Sequence, residues 1–211
     1  MDYVLGIDIG VSFNAEAISV SQYHYPTYSA QVGYSEQNPE LVWEAFRSCI
    51  HDIVDKMQTS PVAVCLSSAM HSLFPVDNQG NKLTDMMTWA DCRSDSMASG
   101  LKNSSQGQRI YELSGMPLHA MSPLCKIIWL RENMPVVFKQ AFKFISIKEY
   151  IWVKLFGEYV IDYSIAGSTG MLDIRSLSWN PELLALARIR EDQLSKPVNT
   201  NYTFTCVGTM A

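Results

Sequence analysis

Four stretches of this 211-residue chain hold residue types that could do chemistry. The first is "GIDIG", Gly6–Gly10, where Asp8 interrupts an otherwise apolar run from Tyr3 to Ile9. A buried carboxylate without a partner is strongly unfavourable, so Asp8 requires hydrogen bonds or a cation. The flanking glycines carry no side chain and let another backbone or a phosphate approach closely. Mg²⁺ is commonly held through one carboxylate and several waters, which fits this arrangement. An Asp that caps the following turn explains the same pattern, and the local sequence favours neither.

The second stretch, "SSAMHSL" (Ser67–Leu73), follows the short apolar run Val62–Leu66. Ligands of open α/β sheets gather beyond the carboxyl ends of the strands, which is where Met70 and His71 would sit. A lone His is otherwise more often structural. The third is "TWADCRSD" (Thr88–Asp95). Asp91 can accept hydroxyl hydrogens from a polyol, Arg93 can fork onto a carboxylate or vicinal hydroxyls, and Trp89 can pack against sugar C–H groups. Alone, the Asp91–Arg93 pair reads as a surface pair of little consequence; three such stretches on one sheet weigh against that. The fourth, "HAMSPLCK" (His119–Lys126), is weaker: Ser122-Pro123 opens a helix, and Lys126, one turn in, reads as a solvated lysine. His51 takes no role. The sequence holds no Walker-type loop, GxGxxG, GxSxG or His/Cys metal spacing, which sets aside dinucleotide, serine-hydrolase and zinc readings.

Such residues need a scaffold, and the periodicity supplies one. Tyr3–Ile9 and the alternating Glu16–Tyr23 read as strands, Val62–Leu66 as a strand covered on both faces, and Leu73–Asp77 as a strand turned by "DNQGN". Between them "NPELVWEAFRSCIHDIVDKM" is an amphipathic helix, with Asn38 as cap and Pro39 in the first turn. Beyond Thr84, Ser94–Leu101, Gln106–Leu113 and Pro123–Glu132 read as helices, Lys143–Ile145 as a strand, and Ile147–Phe156 as a helix closed by Gly157. "WNPELLALARI" gives a last helix and "CVGTM" the start of a strand. A boundary near Thr84 would divide a sheet-centred half from a helical half, with one core shared between them. The fold class expected is α/β.

Bulk properties narrow the function. The formal net charge is −5 without a Lys/Arg cluster, which argues against a nucleic-acid surface. No apolar run reaches the length of a membrane helix. The N-terminus lacks the pattern of a signal peptide, and the five cysteines, odd in number and without a CxxC pair, fit free thiols in the cytoplasm.

Six segments then coincide, in order, with one family: "GIDIG", "SSAMHSL", "TWADCRS", "SGMPLHAMSPLCKIIWLRE", "FISIKEYIWVKLFGEYVIDYSIAGSTGMLDI" and "WNPELLALARI". Together they resemble the N-terminal, sugar-binding domain of the FGGY carbohydrate kinases over residues 1–211, with the strongest likeness to gluconate-phosphorylating members. The resemblance implies a ribonuclease-H-like (actin/hexokinase-type) domain, with a mixed sheet, flanking helices and a helical insertion. It implies ATP as co-substrate with Mg²⁺, and a sugar or sugar acid, first of all gluconate, as phosphoryl acceptor; xylulose, glycerol or another polyol is the alternative within the family. By position, Met70, His71, Trp89, Asp91 and Arg93 would line the sugar site. Asp8, Gly10 and Ser12 would face the nucleotide phosphates, with Asp8 toward the metal, and Arg93 would meet the carboxylate of a sugar acid. The implied partners are a C-terminal kinase domain, expected to lie outside this chain, and a second copy in a homodimer.

Two departures accompany the likeness. The family's catalytic base is an Asp in a Gly-rich segment that would follow residue 211, so no residue of the chain takes that role, and the chain alone is expected to be inactive. After Gly10, "VSFNA" keeps one hydroxyl, Ser12, where the family has several, and a strand there reads as shortened or lost. A degenerate, non-catalytic sugar-binding or interaction module is the reading this departure favours.

Overall fold

A computed structural model of the chain describes residues 3–9 and 19–205. In chain order the elements are β1 (Val4–Ile9), β2 (Glu36–Gln37), α1 (Pro39–Met57), β3 (Ala63–Ser68), β4 (Phe74–Val76) and β5 (Met86–Met87). Helices α2 (Asp95–Lys102), α3 (Gly107–Ser114), α4 (Pro123–Asn133) and α5 (Pro135–Gln140) follow, then β6 (Lys143–Ile145), α6 (Ile147–Phe156), β7 (Val160–Asp162) and α7 (Tyr163–Gly167). The described chain closes with α8 (Pro181–Ala187), a 3₁₀ turn and β8 (Lys196–Val198).

The helix boundaries follow from their caps. Asn38 accepts the Glu40 amide at 3.0 Å and opens α1. Asn180 does the same for α8, accepting the amides of Glu182 and Leu183. Ser146 and Glu149 form a reciprocal capping box at the start of α6, whose end Gly157 closes in the left-handed region (φ 73°). These satisfy amides that a helix start otherwise leaves unpaired. The "DNQGN" turn forms as expected: the Asp77 carboxylate accepts the amides of Gln79 and Asn81, and Gly80 takes φ 83°.

The strands differ from expectation in three ways. Among the described residues they pair as four two-stranded ladders, β1–β3 and β7–β8 parallel, β2–β5 and β4–β6 antiparallel. The β3 strand was expected to be covered on both faces; instead Ala63, Cys65 and Ser67 are exposed, as are Val4 and Gly6 of β1, so one face of this pair is open. The expected strand Glu16–Tyr23 is described only from residue 19, and residues 19–23 form no strand. They lie along α1, where the hydroxyls of Ser21 and Tyr23 donate to Asp52. The "VSFNA" and "CVGTM" segments lie outside the described residues.

The interior divides at a strand ladder and not at Thr84. A single register, with Leu73 bridged to Met87, joins the β4–β6 and β2–β5 ladders. On one side Leu73, Met87 and Phe144 pack with α3, α4, α7 and α8. On the other Phe74, Val76, Met86 and Ile145 pack with β1, α1 and α6, where Phe74 meets Tyr150 edge-on at 5.4 Å. Alternation of side chains along a strand accounts for this division. Ile145, Ile147, Tyr150 and Ile151 thus join the core of the N-terminal half although they follow Thr84 by some sixty positions.

Candidate functional site

The site forms where two strand ends meet. Leu73 and Met87 exchange both backbone hydrogen bonds, at 3.0 and 2.9 Å. Just past that pair, the Lys126 ammonium bonds the carbonyls of His71 and Thr88, which brings the His71 turn beside the segment that leads to Trp89. Met70 and His71 form the turn that leaves β3, and Trp89 leads out of β5. Met70 and Trp89 are exposed and His71 is half-buried.

His71 is held unusually tightly. Its backbone lies in the left-handed region, φ 65°, which is uncommon for a residue with a Cβ, though less so for His than for most. Its Nδ1 lies 3.1 Å from the Ser168 carbonyl, past the end of α7. Burial pushes its pKa below the ordinary 6.5, the Ser168 carbonyl opposes this, and the charges of Lys126 and His119 add to the lowering. The ring is therefore neutral at pH 7. With Nδ1–H donated to Ser168, Nε2 is left as an acceptor, suited to a hydroxyl hydrogen.

Asp91 and Arg93 turn inward. Asp91 is completely buried; its carboxylate accepts the Ser35 amide at 2.7 Å, the Arg93 amide at 3.1 Å and the Arg93 guanidinium at 2.7–3.0 Å. The guanidinium also pairs with Glu36 at 2.7 Å and lies over the Tyr34 ring, 3.6 Å from its centroid, with Trp129 beyond. Its side chain is 3% exposed. Burial opposes the charge, but hydrogen bonds to Asp91 and Glu36 prevail and raise the Arg93 pKa. The expectation that Arg93 faces the carboxylate of a sugar acid is thereby corrected: the carboxylates that it meets are the protein's own. Direct hydroxyl binding by Asp91 meets the same objection, since its oxygens are engaged and no part of it is exposed.

Lys126 requires a second correction. It is not solvated but fully buried, in the first turns of α4. Its Nζ donates to the His71 carbonyl at 2.6 Å and the Thr88 carbonyl at 2.7 Å. Burial pushes its pKa down to about 7, with the Asp91 charge opposing. The sequence signal for this burial is the apolar company of Lys126 in Pro123–Ile128, all of which is buried. Tyr34, Ser35 and Glu36, which brace the Trp89 segment from β2, carry no such signal.

Asp8 lies one residue before the end of β1, opposite Ser67 of β3, and is partly exposed. Gly10 and Ser12 lie outside the described residues. Among the described residues no group of three or more His, Cys, Asp or Glu side chains could hold a metal. One carboxylate at a strand end fits a hydrated cation whose other ligands are water and phosphate, and does not fit a cage of protein ligands. A cavity of about 20 Å³ behind His71, lined by Ser146, Glu149, Ser168 and Trp179, has room for a water and none for a sugar.

Fold and site together define an α/β domain with Met70, His71 and Trp89 gathered beside two strand ends. Residues 3–209 match the model of the FGGY family of carbohydrate kinases, N-terminal domain. Gluconokinase of Bacillus subtilis is 39% identical over 96% of this chain and 41% of its own length. The crystal structure of gluconate kinase from Lactobacillus acidophilus superposes with a TM-score of 0.89 at 36% identity, over 93% of this chain and 42% of that one. The ligand-bound xylulose kinase of the same organism superposes equally well, with a TM-score of 0.89 at 35% identity, over 94% of this chain and 42% of that one. The chain belongs to the FGGY family of carbohydrate kinases and corresponds to its N-terminal domain. It spans about two fifths of the length of these relatives.

Proposed function

We propose that this chain is the sugar-binding half of an ATP-dependent cytoplasmic carbohydrate kinase whose acceptor is gluconate. The observation that carries the reading is the outward-facing set Met70, His71 and Trp89, held at two strand ends in a chain 39% identical to a gluconokinase. In this reading Trp89 packs against the carbon skeleton and His71 Nε2 accepts a hydroxyl hydrogen. Asp91 and Arg93 act from behind by fixing the segment that carries Trp89. Phosphoryl transfer depends on positioning an acceptor hydroxyl and neutralising phosphate charge. The chain supplies the first of these. For the second it offers Asp8, which would give Mg²⁺ one carboxylate, while ATP and the catalytic base belong to a partner domain.

Xylulose is the second reading, favoured by the equal superposition on a xylulose kinase. Calorimetric titration of the chain with gluconate, xylulose and glycerol separates the two. Gluconate is expected to bind tightest, and Trp89→Ala to weaken it about tenfold or more, some 1.4 kcal/mol. Absence of binding by all three sugars would sink the proposal, and tighter binding of xylulose would transfer it to the second reading.

A further inference from the structure

Lys126 is a costly residue at its position. It is fully buried in a stretch of α4, Pro123–Ile128, whose residues are all buried and otherwise without charge. It stands near the N-terminus of α4, the end of a helix at which a cation is least favoured. Burying an ammonium is expensive, and exchanging buried charge for apolar side chains is often neutral or stabilising. Neither helix formation nor core packing therefore accounts for a lysine here.

What the ammonium does is specific. One nitrogen joins the carbonyls of His71 and Thr88, which come from segments that, among the described residues, are otherwise bridged from Leu73 and Met87 inward. One carbonyl belongs to the residue in left-handed backbone geometry, and the other immediately precedes Trp89. A neutral amine would keep two N–H groups, enough for both carbonyls, so the bridge does not depend on the charge.

We infer that Lys126 is a positioning residue of the sugar site, holding the His71 turn and the Trp89 segment at a fixed separation without touching the sugar. The inference rests on the sugar-binding reading of Met70, His71 and Trp89, but its first test does not need a ligand. Lys126→Met keeps the length and removes the donors. In the ligand-free chain, this variant is expected to move the NMR signals of the Trp89 indole and the His71 imidazole. The Trp152 indole, which donates to Glu158 on α6's far flank, is expected to stay in place. Gluconate affinity should fall at least tenfold, and Lys126→Gln, which retains an amide NH₂, should recover part of it.

A folded Lys126→Met chain with unmoved Trp89 and His71 signals would overturn the inference. So would movement of Trp152 along with them, which marks a general structural change. If Lys126→Met does not fold, the same comparison on Lys126→Gln decides; if neither folds, Lys126 serves folding and the inference falls. If the wild-type chain binds no sugar, the functional reading fails, while the two sets of signals still decide whether Lys126 holds the segments together.

Discussion

At the scale of single residues, the site separates outward-facing groups from the groups that brace them. Asp91 and Arg93 belong to the second kind, with consequences for mutagenesis. Removing one member of a buried pair leaves an uncompensated charge, at a cost of about 3–5 kcal/mol. Arg93→Ala strands Asp91 with its two amide donors, and should cost stability in that range by urea unfolding. In the proposed reading Arg93 meets neither sugar, so once folded the variant should weaken gluconate and xylulose alike. A loss confined to gluconate would return Arg93 to the sugar. The position of Met70 and His71 just past a strand end was legible from the apolar run Val62–Leu66 that precedes them. The sequence could not show which way Asp91 and Arg93 turn, because that depends on Glu36 and Tyr34, some fifty-five positions earlier. Lys126 was misread for a related reason. Lysine is so rarely buried that exposure is the default, and only the two carbonyls from distant segments reverse it.

At the scale of elements, caps carried most of the legible information. Asn38 and Asn180, each followed by Pro, place the starts of α1 and α8, and Gly157 places the end of α6, while α8 stops at Ala187, two residues short of the Ile189 that its sequence pattern reaches; Asn38→Ala should cost about 1 kcal/mol. The short helices α5 and α7 and the pair β7–β8 are not legible, because segments of three to six residues carry little periodicity of their own; β6, as short, is legible beside the capped helix α6 that follows it. The α6 cap also carries a pH signature. Burial pushes the Glu149 carboxyl up to about 7, with the Ser146 hydrogen bonds opposing, against 4.5 in the unfolded chain. Between those values the unfolded chain releases a proton that the folded chain keeps, so stability falls as pH rises from about 4.5 to 7, by about 3 kcal/mol. Lys126 acts in the opposite sense at higher pH: its folded pKa of about 7 lies below the ordinary 10.5, so its contribution grows as pH rises between them. Glu149→Gln should flatten the decline between pH 5 and pH 7 in urea-unfolding midpoints. A slope equal to that of the wild type would show that Glu149 does not titrate there.

At the scale of the whole molecule, the α/β class and the family were legible in the order of six short segments, while the layout of the interior was not. The chain covers about two fifths of its relatives and carries, in this reading, no catalytic base. Purified alone, it should bind gluconate and leave ATP intact. ATP-dependent formation of phosphogluconate by the 211 residues, followed by coupled assay, would refute that division of labour.

The ladder of residues 73–76, 86–87 and 143–145 has its hydrophobic interior on both faces. A slip of one residue in its pairing would exchange every side chain between the two interiors. A one-residue insertion between Leu73 and Val76 should therefore lower the urea-unfolding midpoint far more than the same insertion in the exposed 78–81 turn. The two interiors share this wall. The amide protons of Leu73 and Met87, bonded to each other's carbonyls at its centre, should accordingly be among the last in the chain to exchange with deuterated solvent, and only by global unfolding.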